Sequence, residues 1–288
     1  MRLLFTGASG FLGSHLVHQF VRDGHQVVVL KRARSDLSRL DGCRDKLVLA
    51  EIGSDLAPAF MGPRIDGVIH LATCYGRNGE TASVMAETNT AFALRLLDAA
   101  CAAQVPLFIN SDTSLAKELN AYAMSKRHFA EWGKFAAQQG RISFVNILLE
   151  HMYGPGDDAS KFVTHVVRTL LRGAPELALT AGEQLRDFIY IDDVVAAFAL
   201  LLEHASREPG YLACALGSGE PVRIRELVML ARTLTGADTA LNFGALPYRT
   251  GEVMHSQADI CYLSNLGWRP QITLDEGLRN LILSEQSI

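Results

Sequence analysis

Short apolar runs alternate with longer amphipathic segments along the first half of the chain. The runs lie at residues 3–5, 27–30, 47–49, 68–71, 107–109 and 144–148. Segments at 11–22, 83–103 and 121–138 lie between them, with apolar residues at helical spacing. Continuous apolar strands that alternate with helices are typical of a parallel sheet covered on both faces. The pattern therefore predicts an α/β fold with a doubly wound parallel sheet.

The regular alternation of predicted strands and helices ends after about Glu150. A loop at 154–158 leads to a predicted helix near 161–172 and a turn-rich stretch to 186. We assign a strand at 188–191 to the same sheet. Asp192 and Asp193 are then expected to cap an apolar helix that ends near His204. Residues 273–276 have the capping-box spacing of a last helix.

Composition narrows the classes of function. There are 27 Lys+Arg against 31 Asp+Glu, a net charge of −4, which offers no general attraction to nucleic acid or an anionic membrane. The five cysteines are odd in number and lack CxxC spacing, so we expect no disulfide framework and no metal site. No apolar run approaches the roughly 20 residues of a membrane span. These features predict a cytoplasmic protein without nucleic-acid or membrane partners.

Three glycines follow the first strand at the spacing GxxGxxG. Glycines let the chain turn sharply and bring backbone N–H groups close to a pyrophosphate, and the next helix adds a favourable dipole. Their position between a strand and a helix favours a bound dinucleotide over a purely structural turn. We therefore predict a Rossmann-like dinucleotide-binding domain. The expected contacts in this segment are Gly7, Ser9, Gly10, Phe11, Leu12 and Gly13.

The end of the second strand indicates which dinucleotide is bound. An NAD site normally carries Asp or Glu there to accept from the ribose 2′-hydroxyl. This chain has Arg32 and Arg34 and no acid before Asp36. Guanidinium groups suit a 2′-phosphate, so we predict NADPH (bound as NADP when oxidised), although a solvated basic turn is the alternative. Further expected contacts are Glu51 and Ile52 at the adenine, and Leu71 and Ala72 at the pyrophosphate.

Tyr122 and Lys126 are four residues apart on the helix predicted after the fifth strand. At that spacing they share one helix face, and an ammonium beside a phenol lowers the pKa of the phenol. Tyr122 would then be a usable proton donor or acceptor near neutral pH. Residues 110–114 bring hydroxyls to the carboxyl end of a strand, where ligands bind in open α/β sheets. A hydroxyl there could hold a substrate carbonyl oxygen beside the tyrosine.

With these residues in place, the sequence resembles the extended short-chain dehydrogenase/reductase family over nearly its whole length. The matching segments are residues 6–13, 66–72, 122–126, 153–157 and 186–194, together with Asn89. Within that family the chain is most similar to sugar-nucleotide 4-ketoreductases of the CDP-paratose and CDP-abequose synthase type. This closer similarity lies in residues 72–77, 110–114, 149–154 and 258–260.

The resemblance implies a role for each matching residue. Tyr122 would protonate the C4 oxygen, while Lys126 would lower the pKa of Tyr122 and bind the nicotinamide ribose. Thr113 fits the family's catalytic Ser/Thr position, and Ser111 is the alternative. Asn89 would support the active-site helix or a water-linked proton path.

The resemblance also implies how the substrate is held. Arg186 and Arg249 would bind its diphosphate, because a planar guanidinium suits that group; the alternative for each is a surface ion pair. Glu150 and His151 stand where the wider family usually has Phe-Asn. His151 could donate to a sugar hydroxyl or the diphosphate, or it could be a structural loop residue. The other residues assigned to the substrate are Cys74, Arg77, Thr113, Tyr122 and Phe162, and Thr73 and Asn89 join the cofactor contacts.

The residues after Thr113 distinguish an enzyme that catalyses elimination from one that catalyses reduction. Related dehydratases carry Asp-Glu directly after the catalytic hydroxyl, whereas this chain has Ser114 and Leu115, which argues against elimination. The resemblance therefore predicts NADPH-dependent reduction of the C4 ketone of a nucleotide-linked deoxy-4-ketohexose. CDP-4-keto-3,6-dideoxyglucose is the expected substrate, reduced to CDP-paratose or CDP-abequose for a surface polysaccharide or glycoside.

Two other functions remain open. An NAD(P)-dependent nucleotide-sugar epimerase would keep its cofactor and consume no NADPH. A non-catalytic dinucleotide sensor would usually lack the tyrosine or the lysine, and both are present here.

The expected layout has two domains. Residues 1–151 form the dinucleotide-binding domain, to which 187–206 return, and 152–186 with 207–288 form a smaller C-terminal substrate lobe. By resemblance, we also expect a homodimer that pairs the helices at 83–103 and 121–138.

Overall fold

The computed structural model describes residues 1–287, which form two compact units. Unit 1 comprises Met1–Leu149 and Phe198–Cys214, and unit 2 comprises Glu150–Ala197 and the chain from Ala215 onward. The returning segment therefore lies later than the predicted 187–206. The first unit ends close to the predicted position 151.

Twelve strands and nine α-helices are formed within the described residues. The strands are β1 Arg2–Thr6, β2 Gln26–Lys31, β3 Leu47–Glu51, β4 Gly67–His70, β5 Leu107–Thr113, β6 Ser143–Leu149, β7 His151–Tyr153, β8 Glu176–Leu179, β9 Leu185–Tyr190, β10 Gly210–Leu216, β11 Pro221–Arg223 and β12 Ala240–Phe243. The helices are α1 Phe11–Arg22, α2 Ala82–Ala86, α3 Ala93–Ala102, α4 Ala121–Gln138, α5 Phe162–Leu171, α6 Ile191–His204, α7 Ile224–Thr235, α8 Cys261–Asn265 and α9 Leu274–Gln286. None of these helices, which cover the described part of the chain, is both long and apolar enough to cross a bilayer.

The main sheet has seven strands in the order β10-β6-β5-β4-β1-β2-β3. The pairings from β6 through to β3 are all parallel. All six strands predicted for the first half of the chain are present, which confirms the α/β, Rossmann-like fold class. The order reverses between β1 and β4, and such a switch point is where open α/β sheets bind ligands.

Strand β3 differs from its predicted environment. It was expected to be buried, but it is the edge strand of the sheet, where Val48 and Leu49 are 39% and 41% exposed. A short apolar run predicts a strand without fixing its place in the sheet, because edge and central strands share the same period.

Helix α4 packs closely on the sheet in unit 1. Phe108, Phe129 and Phe144 are fully buried in its core, and the Phe108 and Phe144 rings stack with centroids 5.3 Å apart. A Cβ added to Gly133 of α4 would lie 2.1 Å from the Phe144 ring, so a glycine is needed for this approach. The helix is thereby fixed over β5 and β6, with its first turn at the carboxyl end of β5.

The helix predicted at 83–103 is present but irregular. Helices α2 and α3 are joined by a π-helical turn at Glu87–Phe92. Thr81 caps the start of α2 by accepting a hydrogen bond from the Val84 amide. Wide turns of this kind are frequent at functional sites, and Asn89 lies within this one.

Two small sheets are formed in the described part of unit 2. One has the order β11-β9-β7 and the other pairs β12 with β8. The assignment of the strand at 188–191 to the main sheet is therefore wrong, because β9 pairs in parallel with β7 and antiparallel with β11. The predicted last helix is confirmed as α9, with the Thr273–Glu276 capping box in place.

Candidate active site

The glycine turn joins β1 to α1 as predicted. Gly7 has φ +69°, and a Cβ there would lie 2.6 Å from the Ala72 amide nitrogen. A Cβ on Gly13 would lie 2.1 Å from the Gly7 carbonyl oxygen. Gly10 is the N-cap residue of α1, and no described side chain caps that helix. The first amides of α1 are thus available to an anion, as a pyrophosphate site requires.

The neighbouring predicted cofactor residues follow the same turn. Ser9 and Phe11 are partly exposed, whereas Leu12 is buried and helps to anchor the first turn of α1. Leu71 and Ala72 follow β4 and lie against the turn, because both of their amides donate to the Thr6 hydroxyl at 3.3 Å.

The Thr6 side chain links two strands, a contact that the sequence did not predict. Its hydroxyl lies 2.7 Å from His70 Nδ1, so it joins the ends of β1 and β4. His70 is fully buried, and burial followed by the nearby Lys126 lowers the pKa of its ring well below the usual value. A neutral, fixed imidazole therefore lies beneath the strand ends.

The two arginines predicted to bind the 2′-phosphate of NADPH lie after β2. Arg32 and Arg34 are exposed, and neither forms an ion pair with a carboxylate in residues 1–287. Glu51 instead pairs with Lys31 at 3.7 Å, and the Ile52 amide donates to the Lys31 carbonyl. The two arginines are thus the free cations at this strand end among the described residues.

Tyr122 and Lys126 lie in the first two turns of α4, which Asn120 caps by accepting from the Ala123 amide at 2.8 Å. Lys126 is 2% exposed, and its Nζ has no hydrogen-bond partner among residues 1–287. Burial lowers the pKa of Lys126 to about 8, and Asp112 opposes that change.

Burial also raises the pKa of the Tyr122 hydroxyl, with smaller contributions from Tyr75 and Asp112. A hydrogen bond with Thr113 and the charge of Arg77 act in the opposite direction. The net change is opposite to the one predicted from the Tyr–Lys spacing, because the loss of hydration outweighs nearby positive charge. Tyr122 is therefore a neutral phenol near neutral pH.

The structure distinguishes the two candidate hydroxyls at the end of β5. Ser111 donates to the His70 carbonyl at 3.1 Å and so faces β4. Thr113 accepts from the Leu115 amide at 3.3 Å, and its side chain is near enough to Tyr122 to act on the pKa of the phenol. Of the two, Thr113 has the geometry expected of a hydroxyl that shares a carbonyl oxygen with the tyrosine.

The side chain of Asn89, in the wide helical turn, hydrogen-bonds to two separate segments of the chain. Its side-chain oxygen accepts from the Cys74 amide at 2.7 Å and from the Thr73 hydroxyl at 3.3 Å. Its nitrogen donates to the Cys74 carbonyl and to the Ser125 hydroxyl. Asn89 thus ties the segment after β4 to α4, which agrees with the predicted support of the active-site helix. Cys74 and Thr73 are held through these same bonds.

Tyr75 is a further residue that sequence reasoning missed. Its ring lies on that of Tyr122, with centroids 5.1 Å apart and a tilt of 33°. The Arg77 guanidinium lies 5.1 Å from the centroid of the Tyr75 ring. Tyr75 therefore connects the predicted substrate residue Arg77 to the phenol, and an aromatic residue close after β4 was the available signal.

These residues fit a bound nicotinamide dinucleotide. Gly7 and Gly13 allow the tight backbone packing of this turn, and the α1 helix that follows it has no side-chain cap among the described residues. Lys126 offers a buried ammonium without a hydrogen-bond partner in residues 1–287, suited to ribose hydroxyls. In this arrangement the glycine turn would hold the pyrophosphate and Lys126 the nicotinamide ribose.

The predicted substrate residues of unit 2 have varied environments. Arg186 is 8% exposed, and its Nη2 lies 2.5 Å from Glu252 Oε1. Arg249 is exposed, and its carbonyl accepts from the Glu252 amide in a turn. Phe162, at the first position of α5, is 37% exposed. The ion-pair alternative is thus realised for Arg186, although the pair is largely buried rather than on the surface.

His151 is positioned by the acid that precedes it. Its Nδ1 lies 3.4 Å from Glu150 Oε2, and its ring packs on Phe188 with centroids 5.7 Å apart. Both oxygens of the nearly buried Glu150 accept from the Ser256 hydroxyl at 2.8 Å. Glu150 is thus bonded to Ser256 within unit 2, whereas His151 Nδ1 lies near Glu150 but has no hydrogen-bond partner among the described residues.

Two acids of the 186–194 motif hold loops of unit 2. Asp187 accepts from the Ser218 amide and hydroxyl and from the Gly219 and Ala258 amides. Asp193 accepts from the Gln271 and Ile272 amides. The prediction that Asp193 serves as a helix cap is therefore wrong, because its carboxylate is bonded to a distant loop.

The glycine turn and the Tyr–Lys pair define the protein as an NAD(P)-dependent oxidoreductase of the short-chain dehydrogenase/reductase class. Residues 3–215 match the NAD dependent epimerase/dehydratase family, and the chain belongs to that family.

Comparisons with individual proteins agree with this assignment. The chain is 34% identical to a CDP-abequose synthase of Salmonella typhimurium, with 97% of each chain covered. The UDP-glucose 4-epimerase of Thermotoga maritima, solved with UDP-glucose, matches with a TM-score of 0.88 and 26% identity over 100% of this chain and 99% of the other. The Thermus thermophilus UDP-glucose 4-epimerase in complex with NAD matches at 0.85 and 25% identity, with 99% of each chain covered.

Proposed function

We propose that this protein is an NADPH-dependent reductase of the C4 ketone of a nucleotide-linked deoxy-4-ketohexose. The product would be a CDP-3,6-dideoxyhexose such as CDP-paratose or CDP-abequose. The observation that carries the proposal is Tyr122, a phenol that burial keeps protonated near neutral pH, in a chain similar over nearly its full length to a CDP-abequose synthase. A protonated phenol is the state that a ketone reduction requires.

The residues of unit 1 account for the proton transfer. Thr113 would donate a hydrogen bond to the C4 oxygen and hold the carbonyl in place. Tyr122 would give its phenolic proton to that oxygen as the C4 carbon is reduced. A bound nicotinamide supplies the hydride, so the ketone gains one hydride and one proton and becomes a secondary alcohol. The positive charge of Lys126 would then stabilise the phenolate that remains.

The preference for NADPH rests on the strand end after β2. Arg32 and Arg34 are free cations there, and a 2′-phosphate would satisfy both. Glu51, the acid after β3, is paired with Lys31. A reductase with net turnover draws on reduced cofactor from solution, which agrees with exposed clamps.

For the substrate, we assign Arg249 and Arg186 to the diphosphate and His151 to a sugar hydroxyl. Glu252 already neutralises Arg186, so a diphosphate would have to share that guanidinium with the carboxylate. Arg249 is therefore the stronger expected contact of the two.

The decisive experiment supplies purified protein with NADPH and a CDP-4-keto-3,6-dideoxyhexose. Loss of the absorbance of reduced cofactor, with formation of one 4-hydroxy product, is expected. The GDP- and dTDP-linked analogues serve as controls for the choice of nucleotide. If none of these substrates oxidises NADPH, the reductase assignment is wrong.

A nucleotide-sugar epimerase is the second candidate, because solved structures with the same fold include NAD-bound epimerases. An epimerase would retain its cofactor through purification and would interconvert two C4 epimers without net consumption of NADPH. Release of the dinucleotide on denaturation, measured by its absorbance, separates the two functions. A non-catalytic sensor would show neither activity.

We also propose that unit 1 binds the dinucleotide, that unit 2 binds the substrate, and that the protein is a cytoplasmic homodimer. Trp132 and Phe135 of α4 are 47% and 50% exposed, which supports pairing through that helix. Sedimentation of the wild type and of a Trp132→Glu variant tests this pairing, and a monomeric wild type would exclude it.

A further inference from the structure

The segment that follows β4 is fixed through its backbone just before it reaches Tyr75. Asn89 Oδ1 accepts from the Cys74 amide at 2.7 Å, and Asn89 Nδ2 donates to the Cys74 carbonyl at 2.8 Å. One side chain therefore satisfies both backbone groups of Cys74. This pair of bonds sets the direction in which the chain enters Tyr75.

Gly76 turns the chain directly after Tyr75. Its φ is +73°, a left-handed conformation that favours glycine, and a Cβ there would lie 2.7 Å from the Sδ atom of Met85 in α2. After this turn, the guanidinium carbon of Arg77 lies 5.1 Å from the centroid of the Tyr75 ring. A cation within about 6 Å of a ring centroid is attracted to the ring. Tyr75 is thus held both through its backbone and at its ring.

The Tyr75 ring, held in this way, meets the ring of Tyr122. The centroids lie 5.1 Å apart with a tilt of 33°, within the range of about 4.5–7 Å in which aromatic pairs attract each other. Tyr75 is 39% exposed, whereas the core rings Phe108 and Phe129 are fully buried. A ring so exposed adds less to the core than these two, so its place is better explained by the ring that it touches.

We propose that Tyr75 is a positioning residue whose ring fixes the direction of the Tyr122 phenol toward the substrate ketone. The inference rests on the proposed reductase function, because it concerns the aim of the proton that Tyr122 donates. Helix α4 fixes the backbone of Tyr122, and contact with Tyr75 restricts the two side-chain torsions that remain. A proton donor must lie about 2.6–3.2 Å from its acceptor, and a misplacement of about 1 Å can cost about 100-fold in rate. Through Cys74, Asn89 would also act on the proton donor.

Two substitutions separate the ring of Tyr75 from its hydroxyl. Tyr75→Leu removes the ring, whereas Tyr75→Phe removes only the hydroxyl. In NADPH-dependent reduction of a CDP-4-keto-3,6-dideoxyhexose, kcat of Tyr75→Leu should fall by about 10–100-fold with KM for the sugar nucleotide little changed, because a misdirected donor slows proton transfer without weakening binding. Tyr75→Phe should keep a kcat near that of the wild type.

Two outcomes of these kinetics would overturn the proposal. Equal losses of kcat in Tyr75→Phe and Tyr75→Leu would show that the hydroxyl acts rather than the ring. A rise in KM with kcat unchanged would show that Tyr75 is a substrate contact. Tyr75→Met is the alternative variant without a ring if the leucine variant fails to fold.

The ring contact can be measured without turnover, by NMR of protein that contains isotope-labelled tyrosines. The Tyr122→Phe variant identifies the Tyr122 ring signals by their loss. An aromatic ring shifts the signals of nuclei close to it, so the Tyr122 signals should move in Tyr75→Leu and stay near their wild-type positions in Tyr75→Phe. Tyr122 signals that do not move in Tyr75→Leu would contradict the positioning role.

Tyr211→Leu is the matched control in unit 1. The Tyr211 ring stacks on Phe144, with centroids 6.1 Å apart and a tilt of 13°, so this variant also loses an aromatic pair. Its melting temperature should fall, while kcat and the Tyr122 signals stay close to those of the wild type. A comparable fall in kcat would assign the effect of Tyr75→Leu to lost stability and overturn the proposal. A wild type without turnover would defeat the proposed function, while the NMR shifts would still decide whether Tyr75 holds Tyr122.

Discussion

Lys126 in unit 1 and Asp187 in unit 2 are both buried charged groups, but their surroundings differ sharply. Asp187 accepts four hydrogen bonds from the Ser218, Gly219 and Ala258 positions. Lys126 Nζ has no hydrogen-bond partner among the described residues. A buried charge surrounded by partners stabilises the fold, whereas one without partners is retained at a cost to it. The comparison therefore indicates that Asp187 stabilises unit 2, whereas Lys126 is available to bind a ligand.

Replacement of Tyr122 by phenylalanine should have the largest effect on the catalytic side of this comparison. We expect kcat to fall by about 10²–10⁴-fold, because a positioned general acid contributes that much. The melting temperature should hardly change. Tyr262→Phe, on α8, is the control and should keep wild-type turnover. A Tyr122→Phe enzyme with more than about a tenth of the normal kcat would contradict the acid role.

Asp187→Ala should show the reverse pattern. It leaves four donors in unit 2 without their acceptor, so we expect a loss of at least about 3 kcal/mol in the free energy of unfolding. Urea denaturation followed by circular dichroism measures this loss. The exposed neighbour Asp192, changed to alanine, should cost less than about 1 kcal/mol. Similar losses in the two variants would mean that the hydrogen bonds of Asp187 are not the source of stability.

The pH dependence of the free energy of unfolding tests whether burial of Lys126 costs stability. The pKa of Lys126 is lowered to about 8, so between about pH 8 and its unfolded value near 10.4 the unfolded chain binds more protons than the folded one. The wild type should therefore gain stability over Lys126→Met as pH rises through this range, by up to about 3 kcal/mol. Unfolding curves of both proteins at several pH values test this. A constant difference would show that Lys126 is not protonated differently in the two states.

The smallest expected effect concerns the cofactor. Arg32→Ala combined with Arg34→Ala should raise KM for NADPH by about 10–100-fold, as loss of charge-assisted bonds implies, and should leave KM for NADH nearly unchanged. Arg39→Ala, a nearby exposed arginine, is the control. Equal effects on both cofactors would argue against a 2′-phosphate clamp.

The sequence was most informative where local pattern and local chemistry coincide. The glycine turn, the Tyr122–Lys126 spacing and the α4 boundaries each depend on residues close in the chain, and all three features are present. The choice of Thr113 over Ser111 needed the structure, because both hydroxyls lie on β5 and only their directions differ.

Contacts between residues far apart in the sequence could not be predicted from its hydrophobic and polar pattern. Glu252 lies 66 positions from Arg186, and no periodicity marks it as the partner. The sheet that β9 joins was misassigned for the same reason, since an apolar run does not name its neighbours. The direction of the Tyr122 pKa was also misjudged, because burial depends on the packing of whole elements rather than on a four-residue spacing.

The wide turn at Glu87–Phe92 sets a constraint on how this protein can change. Removing one residue there would restore ordinary helical geometry with little rotation of the flanking helices, because the wide turn holds about one extra residue, but it would remove the widened position that Asn89 occupies. The amide of Asn89 could then no longer reach both Cys74 and Ser125. Single-residue deletions within this turn should therefore be far more damaging than deletions in the loop before Thr81, even though they would make the helix more regular.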